Sequence, residues 1–279
     1  MSRRVNDTLI CVDIGNSSMK IAEFPRSVVH TGFTDGGGNS VQQRLARLPS
    51  PVRVLDSPTG SADWGRLLSC LEERTGSSRC VWRVATVHGK AERTLADFIA
   101  QNRPADVYHK LRNHDFGVTL QVDYPERVGT DRVAAAHAVN QLRDPDRAAV
   151  IIDAGSALTV DLVDVEGGFQ GGTIFPGTRM SAGALAAQTD QLPEVEVTSE
   201  TPHRVGKDTE QAIRAGLYWG TAGAVQRLIQ VVGQGHSDPH VFFAGGDADA
   251  LVRQLTGSII HVPHLVSFGI ALAKYVPHP

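Results

Sequence analysis

The chain has 279 residues, of which 41% are hydrophobic and 20% charged, a length and balance that fit two ordinary domains with real cores and set disorder aside. A formal net charge of -3, with no Lys/Arg run longer than a pair, argues against a nucleic-acid backbone or an anionic membrane and leaves a small molecule as partner. The basic start, MSRR, is followed by an apolar run over 9–12 only, too short for a signal-peptide core or a spanning helix, so a cytoplasmic protein is expected.

Residues 8–13 are apolar and β-rich, and 19–24 read as a second strand after a Gly-Asn-Ser turn, which makes a hairpin and not the strand-helix unit of a phosphate loop. TDGGGNS (34–40) predicts a flexible loop, 41–47 a helix, 52–55 a strand and 64–74 a helix. VWRVATVH (81–88) is a strand, 91–101 a helix, 107–124 holds two short strand-like pieces, and 131–142 carries the alanine-rich pattern of a buried helix. Asp144-Pro145-Asp146 is a turn signal, with strands expected beyond it at 149–153 and 158–163. GGFQGGTIFPG (167–177) reads as a tight backbone with a strand in it, and helices follow at 179–188 and from 208 to about 233. VFFAGGDADAL is a strand, a diglycine turn and a helix start, and 268–275 closes the chain with a helix. Two related mixed-sheet α/β domains, 1–143 and 144–279, facing one cleft are the expected organisation.

The halves repeat each other. LICVDIGNSSMKIA (9–22) and VIIDAGSALTVDLV (150–163) are each an apolar strand ending in Asp-x-Gly and small polar residues, with Asp13 and Asp153 lying 140 positions apart. Neither GxxxxGK[ST] nor GxGxxG occurs, so phosphate binding must come from elsewhere. Asp13, Gly15, Asn16, Ser17 and Ser18 place a carboxylate, a flexible glycine and polar donors at a strand turn, with the charge of Lys20 nearby. Asp153, Gly155, Ser156 and Thr159 repeat these parts. Two such turns facing each other could cradle a polyphosphate, each aspartate serving a cation. Either turn alone reads more simply as a hairpin with a satisfied backbone; repetition in register argues otherwise. Gly129-Thr130-Asp131-Arg132 sets an acid and a base at the start of the alanine-rich helix, as a cap or as chemistry. Gly245-Gly246-Asp247 leaves room for a flat ring on the backbone. Cys11, Cys70 and Cys80 share no Cys-x-x-Cys spacing and read as structural. His236 with His240 and His261 with His264 straddle prolines, which favours solvent-exposed loop histidines over zinc ligands.

In this order the four sites resemble the type III pantothenate kinases, members of the acetate and sugar kinase, Hsp70 and actin superfamily. The family's DxGN[ST] reads DIGNSS here, its GxDR reads GTDR behind Tyr124-Pro125, and its second phosphate motif reads DAGSALTVD; GGTIFPG, TDQLP, GKDT and GGDA also match. The resemblance implies two duplicated RNase H-like (actin-like ATPase) domains, each a mixed five-stranded sheet with flanking helices, with a cleft between them. It implies phosphorylation of pantothenate to 4'-phosphopantothenate from ATP, the first step of coenzyme A biosynthesis, by direct in-line transfer. By the same resemblance Asp131 is the general base, and Tyr124, Gly129, Thr130, Arg132 and Thr209 serve the substrate. Asp13, Gly15, Asn16, Ser17, Ser18, Lys20, Gly155, Ser156 and Thr159 serve the phosphates, and Gly245 and Gly246 the adenine. Asp13 would face magnesium and Asp153 a potassium or ammonium ion. A homodimer is implied, its pantothenate pocket completed across the interface by Thr209; the small residues Ala212, Ala215, Gly216 and Gly220 suit such a contact.

Two departures stand out. Ala22 replaces a common glycine, and Leu158 removes a hydroxyl that, if it faced the nucleotide, would cost about 1 kcal/mol of affinity. The remaining alternatives are a regulatory homologue without catalysis and a kinase of another small alcohol.

Overall fold

The apolar run at the start of the chain becomes the middle strand of a sheet. In the computed structural model, which describes residues 8–25, 40–75 and 78–274, β1 (Thr8–Ile14) has Leu9 to Val12 sealed from solvent. A strand covered on both faces is apolar throughout instead of alternating. It pairs antiparallel with β2 (Ser18–Phe24), which pairs antiparallel with β3 (Arg53–Pro58). On its other side it runs parallel to β4 (Cys80–Thr86), itself parallel to β5 (Val107–Lys110), giving the order β3-β2-β1-β4-β5. After the short α1 (Val41–Leu45), helices α2 (Trp64–Thr75) and α3 (Gly89–Asn102) bury Leu67, Leu71, Leu95 and Ile99 against Ile10, Val12, Ile14, Trp82 and Val84 on one face.

The opposite face is covered by α4 (Thr130–Leu142) and by residues from the far end of the chain. Of α4, Val133, Ala134, Ala135, Ala136, Ala138 and Val139 are buried. The small side chains have a purpose: a Cβ at Gly269 would stand 1.9 Å from the carbonyl oxygen of Ala134, so the two helices meet backbone to backbone.

The second sheet repeats the first. Strands β6 (Ala149–Ala154), β7 (Ala157–Val163) and β8 (Phe169–Pro176) are successively antiparallel, and β9 (His240–Ala244) and β10 (Ile259–His261) add in parallel beside β6. The order β10-β9-β6-β7-β8, counted from the first strand of its own half, is that of the first sheet. Two mixed five-stranded sheets of one order are the RNase H-like duplication that the sequence led us to expect. Besides α5 (Thr178–Ala187), the long α6 (Thr209–Val232) and the short α7 (Ala248–Val252) belong to this half. Ala222, Val225, Ala248 and Leu251 pack on Val150, Ile152, Ala154, Val160 and Phe243.

Two units result. The first holds the described residues up to Val118, then Asp123–Leu142 and the described residues from Leu265 on; the second holds Thr119–Val122 and Arg143–His264. The closing helix, α8 (Leu265–Leu272), thus starts earlier than the pattern predicts and belongs with the first half, its Phe268 ring 5.8 Å from that of Phe24. A helix with Leu265, Val266, Phe268, Ile270 and Ala271 all buried needs cover on every side, which a sheet face and α4 supply together.

Other expectations are revised. Of 107–124 only β5 is a strand; 113–116 form a 3-10 turn, and Leu120 makes an isolated bridge to Phe169. The three residues of β10 are too few to show a period. His240 is no solvent-exposed loop residue: it is buried on β9 with Nε2 2.9 Å from Asp144 Oδ2, and His261 lies on β10. The loop predicted at 34–40 lies, except for Ser40, outside the described residues, as does Tyr275, the last residue of the closing helix that the sequence predicts. Cys11, Cys70 and Cys80 are free thiols. Among the described residues no group of three His, Cys, Asp or Glu could hold a metal, and no helix is long and apolar enough to cross a membrane.

Candidate active site

Asp13 sits near the end of β1, directly opposite Lys20 of β2. Gly15 N donates to Ser18 O at 3.0 Å and closes the hairpin, leaving Asn16 and Ser17 exposed at its tip. The turn is clamped from outside by Thr59, which sequence reading missed: its N–H donates to Ser17 O at 3.0 Å and its hydroxyl to Gly15 O at 2.9 Å. A threonine two positions before a serine in an ordinary loop carries no sequence signal of its own.

Asp131 stands in the first turn of α4. Its Oδ1 accepts the N–H of Arg132 at 2.8 Å, and a Cβ at Gly129 would come within 2.4 Å of that oxygen, so only glycine leaves the carboxyl its place. Burial pushes the Asp131 carboxyl above the usual carboxylate range; the N–H and the positive charge of Arg132 pull the other way. The approach to this turn is pinned by Asn113, a second residue the sequence did not reveal, whose Nδ2 donates to Pro125 O at 3.2 Å and Val128 O at 3.0 Å. Tyr124 is exposed, with the Arg127 guanidinium 4.6 Å above its ring.

In the second unit Asp153 faces Thr159 directly across β6 and β7. Gly155 N donates to Ala157 O at 3.1 Å, and Gly177 N to Ser156 O at 3.0 Å, which docks the start of α5 on this turn. Leu158 corrects an expectation: it is 1% exposed and packs with Val150, Ile152, Val160 and Phe243. Its side chain points to the core, on the face opposite Thr159, so a hydroxyl there would not meet a nucleotide. Ala22, likewise, is sealed inside the first sheet.

The two glycines after β9 differ. Gly245 has φ +100°, and a Cβ on it would stand 2.3 Å from Ala154 O; it locks the end of β9 onto β6, helped by Asp247 N donating to Ala154 O at 3.0 Å. Gly246 has nothing within 4 Å of where its Cβ would be, and it lines a cavity of about 440 Å³ with Thr178, Arg179, Glu200, Tyr218 and Asp247. That volume suits a small-molecule site. The cavity's far wall, residues 197–203, was not anticipated. Thr209 opens α6, capped by Asp208, whose Oδ1 accepts from Gln211 N at 2.8 Å.

Each unit therefore ends its first hairpin in a carboxylate and a glycine turn. The first adds a shielded acid at a helix start, the second an open diglycine beside a cavity. This is the equipment of a phosphotransferase on a duplicated α/β fold.

The sequence profile of the type III pantothenate kinases matches residues 9–231. The chain is 32% identical over 268 residues to the Type III pantothenate kinase of Rhodopirellula baltica, covering 92% of this chain and 94% of that protein. It is 31% identical over 276 residues to the one from a Nocardioides species, with 95% and 97% covered. Among solved structures it is similar to an archaeal actin homologue, Ta0583, at 12% identity over 94% of this chain and 97% of that one, with a TM-score of 0.47, a likeness too distant to add to what the strand order defines. The chain belongs to the type III pantothenate kinase family, the ATP-dependent enzymes that phosphorylate pantothenate in coenzyme A biosynthesis.

Proposed function

We propose that in the family's reaction Asp131 is the general base. A hydroxyl oxygen of pantothenate attacks the γ-phosphorus of ATP in line, the bond to the bridging oxygen of ADP breaks, and the hydroxyl proton passes to the Asp131 carboxylate, giving 4'-phosphopantothenate and ADP. The observation that carries this is the shielded, upshifted Asp131 carboxyl, held by Arg132 N–H over a glycine that makes room for it. A carboxylate raised above its usual range is a stronger base, and phosphoryl transfer asks only for correct placement and late removal of a proton.

Arg132, with Gly129, Thr130 and Tyr124, holds the substrate. Asp13, Gly15, Asn16, Ser17, Ser18 and Lys20, and likewise Gly155, Ser156 and Thr159, serve the phosphates. The adenine lies on Gly246, whose open face supports this; Gly245 contributes by shaping the turn. Magnesium takes phosphate and water oxygens with one or two carboxylates, so Asp13 alone fits it as protein ligand. Asp153, with the Thr159 hydroxyl directly across the strand pair, offers oxygens for a potassium or ammonium ion. When bound, the cations neutralise the charge of the transferring phosphate. Ala212, Gly216 and Gly220 lie exposed along α6, and Val205 is 68% exposed beside them, which supports a homodimer in which Thr209 reaches the neighbouring pocket. The enzyme is cytoplasmic on this reading.

The test is phosphate transfer from ATP to pantothenate. Asp131→Asn should lose at least about two orders of magnitude in kcat while still binding ATP, and exchanging potassium for sodium should depress the wild-type rate. Full turnover by Asp131→Asn would remove the base assigned here.

A further inference from the structure

Arg179 has no role in the scheme above, yet it bridges two of its parts. It stands in the first turn of α5, two residues after Gly177, which is fixed to the second phosphate turn: a Cβ on Gly177 would lie 2.2 Å from Gly155 O. From there Nη2 reaches to 3.3 Å from Oδ1 of Asp247, in the diglycine turn, whose N–H is in turn bonded to Ala154 O. The side chain thus spans from the Gly155-Ser156 turn to the Gly246-Asp247 turn, on the wall of the cavity that Gly246 lines.

The pair does little for the fold. Arg179 is 66% exposed, and an ion pair at that exposure contributes next to nothing to stability. A guanidinium, however, presents a planar fork of donors that matches phosphate oxygens.

We propose that Arg179 is a binding residue for the polyphosphate of the nucleotide donor, exchanging Asp247 for phosphate oxygens when a nucleoside di- or triphosphate enters, with Asp247 holding the guanidinium over the site until then. The proposal rests on the reading that places the nucleotide at Gly246. It goes beyond that reading by assigning to the phosphates a cation that lies outside both hairpins, in addition to Lys20.

Calorimetric titration of ADP into the wild type, Arg179→Ala, Arg179→Lys and Gly246→Val separates the two. Loss of a charge-assisted contact, offset in part by the released Asp247, should weaken ADP binding about tenfold in Arg179→Ala. Arg179→Lys should fall between, and KM for pantothenate and the thermal midpoint should stay as in the wild type. Gly246→Val, whose Cβ meets no neighbour, should fold and also bind ADP more weakly. If Gly246→Val weakens ADP and Arg179→Ala does not, Arg179 touches no phosphate and the proposal is overturned while the nucleotide's place stands. If neither variant weakens it, the nucleotide is not at this turn and both readings fall.

Discussion

At the scale of single residues, Asp131 shows how function is set against stability. Its carboxyl is raised in the folded protein, chiefly by burial. A group raised on folding favours the folded state below its unfolded-state pKa and loses that advantage as pH rises through the folded value, so once the pH has passed that value the ionised carboxylate works against the fold. Asp131→Asn, which keeps an oxygen for the Arg132 N–H, should therefore be more stable than the wild type at pH 8, with the gain vanishing in acid. Urea midpoints at both pH values check this, and an unchanged or lowered midpoint at pH 8 contradicts it. Leu158 makes the opposite case. Its place in the core means that Leu158→Thr, which restores a hydroxyl, should cost about 1–3 kcal/mol and leave KM for ATP unimproved. A better KM would mean that the hydroxyl reaches the nucleotide after all. The alternation of Leu158 and Val160 against Thr159 was present in the sequence as a signal of facing; motif likeness hid it.

Among elements, α4 and α8 decide where the base stands. Asp131 is delivered by the first turn of α4, and α4 is seated by the contact between Ala134 and Gly269. Gly269→Ala would drive a methyl group into that carbonyl, so the helices must part; we expect a loss of about 1–3 kcal/mol and, because α4 carries the base, a fall in kcat larger than any change in KM. Stability and kinetics unchanged would mean that the contact is slack. Helix existence was legible from the alanine run and the apolar closing segment. Their mutual contact was not, since it joins positions 135 residues apart through an atom of the backbone.

At the scale of the whole molecule, the closing helix crosses from one half of the sequence to the other unit. Truncation after His264 should leave the Leu9, Cys11 and Phe24 face of the first sheet uncovered. Hydrogen exchange should then quicken in β1 and β4 while β6 and β9 keep their protection; the reverse pattern would place α8 with the second unit. What the sequence determined alone was what short range encodes: the duplicated strand and Asp-x-Gly turn, the GTDR helix start, the diglycine after an apolar strand, and with them the family. Only the tertiary structure decided which unit takes the last helix, that Leu158 and Gly245 are spent on packing while Gly246 stays open, that Thr59 and Asn113 clamp the site's turns, and that Asp131 is shielded enough to be raised. The physical reason is that turn geometry and strand character follow from neighbours in the chain, whereas burial, and every pKa and packing consequence of it, is supplied by residues far away in sequence.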